Sequence, residues 1–177
     1  MDKGPVSKAR YNLLAFVAPR SRADVLSQHL FFHGMDPVYL RILAECAKHE
    51  LFQETEWIMH QGGEANRFYL ICEGKVSLEL TSPKCGTVII ETLGADDILG
   101  ASWMFEPHLW HWDARALEST RTIAFNATCL RAICEDDHDL GFELMKRFSR
   151  TMIGRLQAAR LKSLDIYDVG AIERRAP

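Results

Sequence analysis

GGEANRFYLICEGKVSLEL, residues 62–80, decides how this chain is read. RFYLIC at 67–72 is a short run apolar enough for a buried strand. Glu73 and Gly74 supply a turn. KVSLEL then alternates, which predicts a strand with Val76, Leu78 and Leu80 inward and Lys75, Ser77 and Glu79 outward. Similar short runs continue on both sides: WIMH before, then TVIIETL after an SPKCG turn, DARALE, and RTIAF beyond Ser119-Thr120.

Helical patterns flank these strands. DPVYLRILAECAKHEL reads as a helix with Asp36 as its cap, Pro37 at its first position, and a stripe of Leu40, Leu43, Ala44 and Ala47. NATCLRAICEDD starts a short helix capped by Asn126, and HDLGFELMKRFSRTMIGRLQAARLKSLDIY reads as one long helix. Along it Met145, Phe148, Met152, Leu156 and Ala159 recur at spacings of three and four, a narrow seam expected to bury against a second copy. The competing reading packs that stripe on the chain's own strands. Helix, about eight short strands, then two helices predicts a mostly β fold with flanking α, a β-roll or jelly roll plus a long C-terminal dimerisation helix.

The composition excludes several classes. The chain has 177 residues, 47% hydrophobic, enough for one domain that buries about 70% of its unfolded surface. A net charge of −3 gives no bulk attraction to nucleic acid or anionic membrane. No apolar run approaches the roughly 18 residues of a membrane span. Five cysteines, an odd number with no C-x-x-C, read as reduced thiols and hence a cytoplasmic protein. Residues 1–23 read as a basic, loosely ordered arm, 24–167 as the domain, and 168–177 as a flexible tail.

With these segments in place, the sequence resembles a cyclic nucleotide-binding domain of the bacterial Crp/Fnr type over roughly residues 30–167. The stretch 62–80 is similar to the family signature G-x-x-A-D-x-x-Y-[LI]-[LIV]-x-x-G-x-[LV]. Gly63, Ala65, Tyr69, Leu70, Gly74 and Val76 are in register, and Asn66 replaces the usual Asp. LFFHGMDPVYLRILAECAK, LGADDILGASWMF and GRLQAARLKSLD extend the likeness, the last to the family's dimerisation helix. The resemblance implies a regulatory, ligand-sensing domain, not an enzyme.

It also implies a phosphate cassette: a glycine opening a short helix, an acidic residue for the ribose hydroxyl, and an Arg before the next strand for the phosphate. Here Gly100 keeps the glycine, but Ala101, Ser102, Trp103 and Met104 follow it, so Ala101 stands at the acidic position. Aligning Ala114–Ala116 with the family's strand places Trp110 at the phosphate Arg, then His111 and Trp112; the register of 106–113 is open by about one residue. No Arg or Lys lies between Gly100 and Arg115. An Arg–phosphate pair contributes roughly 1.5–3 kcal/mol, so cyclic nucleotide binding is expected to be weakened or lost.

Three readings of the tryptophan stretch follow. The indoles collapse into the vacated pocket, leaving a ligand-free dimeric scaffold. They line a pocket for another, flat or apolar ligand. Or cyclic nucleotide binds in an altered way, with Arg160 on the long helix bringing the missing charge. Trp110 and Trp112 are expected to face inward and His111 outward. His108, His111 and Asp113 are close enough in sequence to suggest a metal, but the cupin H-x-H motif is absent, and no metal site is assigned. Haem through His29, His33 or His49 is a further alternative. Only about ten residues follow Tyr167, so no direct DNA binding is expected, and the protein partner is unknown.

Overall fold

The strand at the centre of the signature is buried on both faces because it divides two cores. In the computed structural model, which describes residues 21–82 and 86–173, with side chains to 161 and at 163, β3 (Arg67–Glu73) turns Phe68 and Leu70 to one side and Tyr69 and Ile71 to the other. Phe68 and Leu70 pack with the helices; Tyr69 and Ile71 pack inside the roll. All four are 3% exposed or less, so a continuous apolar run is what this position requires.

The elements run α1 (Arg22–Gln28), α2 (Pro37–Glu45), β1 (Ala47–Phe52), β2 (Trp57–Met59), β3, β4 (Val76–Ser82), β5 (Gly86–Leu93), β6 (Ile98–Leu99), β7 (Asp113–Ala116), β8 (Thr120–Asn126), α3 (Ala127–Asp136) and α4 (His138–Glu173). They form two four-stranded antiparallel sheets, ordered β1-β8-β3-β6 and β2-β7-β4-β5, with helices against the first. This is the β-roll with flanking helices that the sequence predicts. Gly74 joins β3 to β4 at φ 94, where a Cβ would lie 2.6 Å from the Thr120 Cα, so only glycine fits the turn.

Local signals hold where they are contiguous. Asp36 accepts the Val38 N–H at the start of α2, and Asn126 accepts that of Cys129 at the start of α3. Several longer readings need correction. The α2 pattern stops at Glu45, because residues 47–52 pair with β8 as a strand. Ser77 and Glu79 were expected outward, but both are buried. The Ser77 hydroxyl donates to Glu79 Oε1 (2.6 Å), and the Arg115 guanidinium donates to the same oxygen (2.9 Å) while lying over the Trp57 ring. A covered outer face thus needs its charges paired.

The cysteines also differ. Cys46, closing α2, and Cys129, in the first turn of α3, form a disulfide with Cα atoms 5.8 Å apart. They are 83 residues apart in sequence, so spacing could not reveal the pair. The thiol argument for a cytoplasmic location loses its premise; Cys72 and Cys134 remain free. No helix of the described residues is long and apolar enough to cross a membrane.

Finally, α4 runs to Glu173, into the segment read as tail, and α1 begins at Arg22, inside the segment read as arm; residues 1–20 and 174–177 lie outside the described residues. The helix carries two apolar faces. Leu140, Leu144 and Phe148 are buried in the chain's own helical core and Met152 packs beside them, so Phe148 and Met152 are not free for a seam. Met145, Ile153 and Leu156 are exposed, as is Ala159. Spacings of three and four mark an apolar helix face without saying which body covers it.

Candidate functional site

The cassette region begins where β6 ends. Gly100 adopts φ 90 and opens a short 3-10 turn, Ala101–Met104. The chain then runs through residues 105–108 and returns beside the signature turn. Trp110 N–H donates to Gly63 O and Gly62 N–H to Trp110 O, both at 2.8 Å, and Leu109 bridges Glu64. These bonds settle the register of 106–113 and lay the Trp110 side chain between two glycines. A Cβ on Gly63 would stand 3.4 Å from the Trp110 indole, and one on Gly100 would stand 2.9 Å from it. The ring is 6% exposed and belongs to the roll's inner core with Met59, Tyr69 and Leu78.

The space at the cassette glycine is therefore taken by an indole. Ala101 is half-buried and packs toward the helical core, with no group to accept a ribose hydroxyl. The residues present do not fit a cyclic nucleotide held in the family's manner.

The other indoles part company. Trp112 is 39% exposed, contrary to the inward facing expected of it, while His111 is exposed as expected. The reason is that β7 starts only at Asp113, so strand alternation does not reach back to 110–112. Trp103 is 2% exposed and packs edge-on to Phe148 in the helical core.

A cleft of about 330 Å³ remains between the roll and α4. Ser102, Trp112, His111, Met152, Glu91 and Arg155 line it. Ser102 Oγ and His111 Nδ1 are hydrogen-bonded at 2.8 Å. The Arg155 guanidinium donates to Ile98 O at 2.6 Å and lies 3.7 Å from a Glu91 oxygen. Arg160, the arginine the sequence points to, is exposed and does not line this cleft, whereas Arg155 does. The signal was available in the spacing: Arg155 follows Met152 by three residues and Phe148 by seven, the two members of the stripe that pack on the chain's own core.

The candidate metal residues are not brought together. His111 turns to Ser102, and Asp113 accepts from Gln61 N–H (2.9 Å) and lies 3.5 Å from His60. His108 has a buried Nδ1 without a partner. Among the haem candidates, His29 is buried with Nδ1 accepting from Phe31 N–H and Nε2 facing Ile71 O, while His33 and His49 are exposed.

Two four-stranded antiparallel sheets with a long C-terminal helix against the roll place the chain in the class of β-rolls with flanking helices. The chain belongs to the cyclic nucleotide-binding domain family, whose model matches residues 49–137. It is 20% identical over 129 residues to the CRP-like cAMP-activated global transcriptional regulator of Mycobacterium tuberculosis; the match covers 73% of this chain and 58% of that protein. A putative cyclic nucleotide-binding protein from Geobacter metallireducens superposes with a TM-score of 0.68 at 25% identity, covering 76% of this chain and 97% of that one. The regulatory subunit of a cAMP-independent protein kinase A from Trypanosoma cruzi, bound to guanosine, superposes with a TM-score of 0.55 at 23% identity, covering 66% and 47%.

Proposed function

We propose that this chain is a regulatory module, not an enzyme, that has lost standard cyclic nucleotide binding and acts as a homodimer. The Trp110 indole seated against Gly100 carries the proposal, because it occupies the space a cyclic phosphate needs. Ala101 in the acidic position supports it. Calorimetry with cAMP and cGMP tests it. Dissociation constants weaker than about 100 μM are expected, a loss of at least about 2.7 kcal/mol against a micromolar site. A micromolar constant for either nucleotide overturns the reading.

The cleft beside α4 favours a second reading of the same site. Trp112 and His111 offer flat faces, and Arg155 and Glu91 offer opposite charges, a set suited to a planar polar ligand without a cyclic phosphate. The fold itself takes such molecules: the Trypanosoma cruzi protein holds guanosine. A thermal-shift screen over nucleosides and bases addresses this reading.

The dimer rests on the exposed face of α4. Replacing Leu156, which is exposed, with Glu places a charge in the proposed seam without touching the chain's own core. Sedimentation is expected to show dimers for the parent and monomers for the variant; a parent already monomeric at tens of micromolar refutes the seam.

A further inference from the structure

A second cavity lies outside the cleft beside α4, at the 3-10 turn. It measures about 580 Å³ and sits between that turn, α3 and the start of α4. Its walls include Trp103, Met104, Phe142 and Met145, and this size and apolar character suit a small organic molecule. Gly141 sets how closely its two helical walls approach. A Cβ there would come within 3.1 Å of the Cys134 carbonyl oxygen, so the bare glycine lets α4 approach α3 closely.

Two buried polar atoms of the lining residues have no partner: the Trp103 Nε1 and the His108 Nδ1. An indole N–H can only donate, so satisfying it requires an acceptor. His108 is also held at φ 54, an uncommon backbone for a residue other than glycine. Arg131 stands at the same cavity. Its guanidinium donates to Trp103 O (3.1 Å) and Thr128 Oγ1 (3.3 Å), and no described carboxylate forms an ion pair with it. A guanidinium carries five N–H donors, so capacity remains. Glu106 and Glu135 also line the cavity but are exposed, where water and salt screen them; Arg131 is half-buried, so its charge counts for more.

We propose that this cavity is a ligand site, separate from the cleft beside α4, which takes a small apolar carboxylic acid. The carboxylate pairs with Arg131 and accepts from the Trp103 indole N–H, while the apolar body lies against Met104, Phe142 and Met145. The site does not depend on the state of the cassette.

The two free thiols provide an internal control. Cys134 lines this cavity and Cys72 lines a separate one. Burial pushes both thiols above their ordinary range, so both start as slow nucleophiles. The experiment measures alkylation of each thiol in the full chain by peptide mass, with 4-phenylbutyrate, its amide, or 4-phenylbutylamine as probe. The acid is expected to slow Cys134 about fivefold at four times its dissociation constant, and to leave Cys72 unchanged. The amide should protect less and the amine not at all. Arg131→Met and, as a milder change, Trp103→Phe should each reduce protection by the acid; Glu135→Gln, at the exposed rim, should increase it. The site is refuted by an unchanged Cys134 rate at 10 mM acid, or by equal slowing of both thiols. The carboxylate assignment is overturned if the amine protects best, or if protection survives both Arg131→Met and Trp103→Phe.

Discussion

Trp110 and Trp103 lie seven residues apart on the two sides of one short turn, and they meet opposite circumstances. Trp110 lies against two glycines, its ring filling the space beside Gly63 and Gly100. Trp103 is more deeply buried, yet its indole nitrogen finds no partner and its ring walls an open cavity. One indole is part of the roll's core, and the other lines a cavity. A tryptophan-rich stretch is therefore no single signal: the same side chain fills the core where glycine makes room for it and lines a cavity where the 3-10 turn meets the helices.

The largest effect expected is at Trp110. Truncating it to Ala removes a buried ring between Gly63 and Gly100, and should cost about 3–5 kcal/mol in denaturant unfolding. Trp112→Ala, at an exposed position, should stay within about 0.5 kcal/mol. Similar losses from the two variants would show that Trp110 is not the closing residue.

A smaller effect sharpens the same contact. Gly100→Ala forces a Cβ into the Trp110 ring at φ 90, and should cost about 2–4 kcal/mol. In a Trp110→Ala background only the backbone strain and the nearby Arg67 carbonyl remain, so the cost should fall by about 1 kcal/mol or more. Full additivity of the two substitutions would place the ring elsewhere.

The smallest effect contrasts satisfied with unsatisfied ring nitrogens. His29 is buried, and both its nitrogens are engaged, Nδ1 as an acceptor. Burial, the main cause, lowers its pKa below the ordinary 6.5, outweighing the pull of Asp96. The unfolded chain then takes up the proton first. This contribution to stability is complete above pH 6.5 and declines as the pH falls through that value toward the folded pKa. His29→Gln should flatten that part of the stability profile relative to the parent, and an unchanged slope between pH 7 and 5 would count against the burial argument.

Features built from neighbouring residues were legible in the chain before its path was known. The caps at Asp36 and Asn126, the turn at Gly74, the strand pair on either side of it and the single long helix all follow from local period and turn chemistry. The loss of the acidic and basic cassette residues was equally plain, since Ala101 and the tryptophans stand in the sequence itself. Where local alternation failed, as at Ser77, Glu79 and Trp112, a neighbour across the sheet or a late strand start decided the facing.

What required the folded chain were meetings between distant residues. Cys46 reaches Cys129, Arg155 comes beside Glu91, Trp110 lies against Gly63 and Gly100, and Phe148 turns into its own domain, leaving Leu156 exposed. Periodicity states that a face is apolar; it carries no information on which surface arrives to cover it. That choice is made by the path of the backbone through two sheets, and it leaves one indole enclosed and the other beside a cavity.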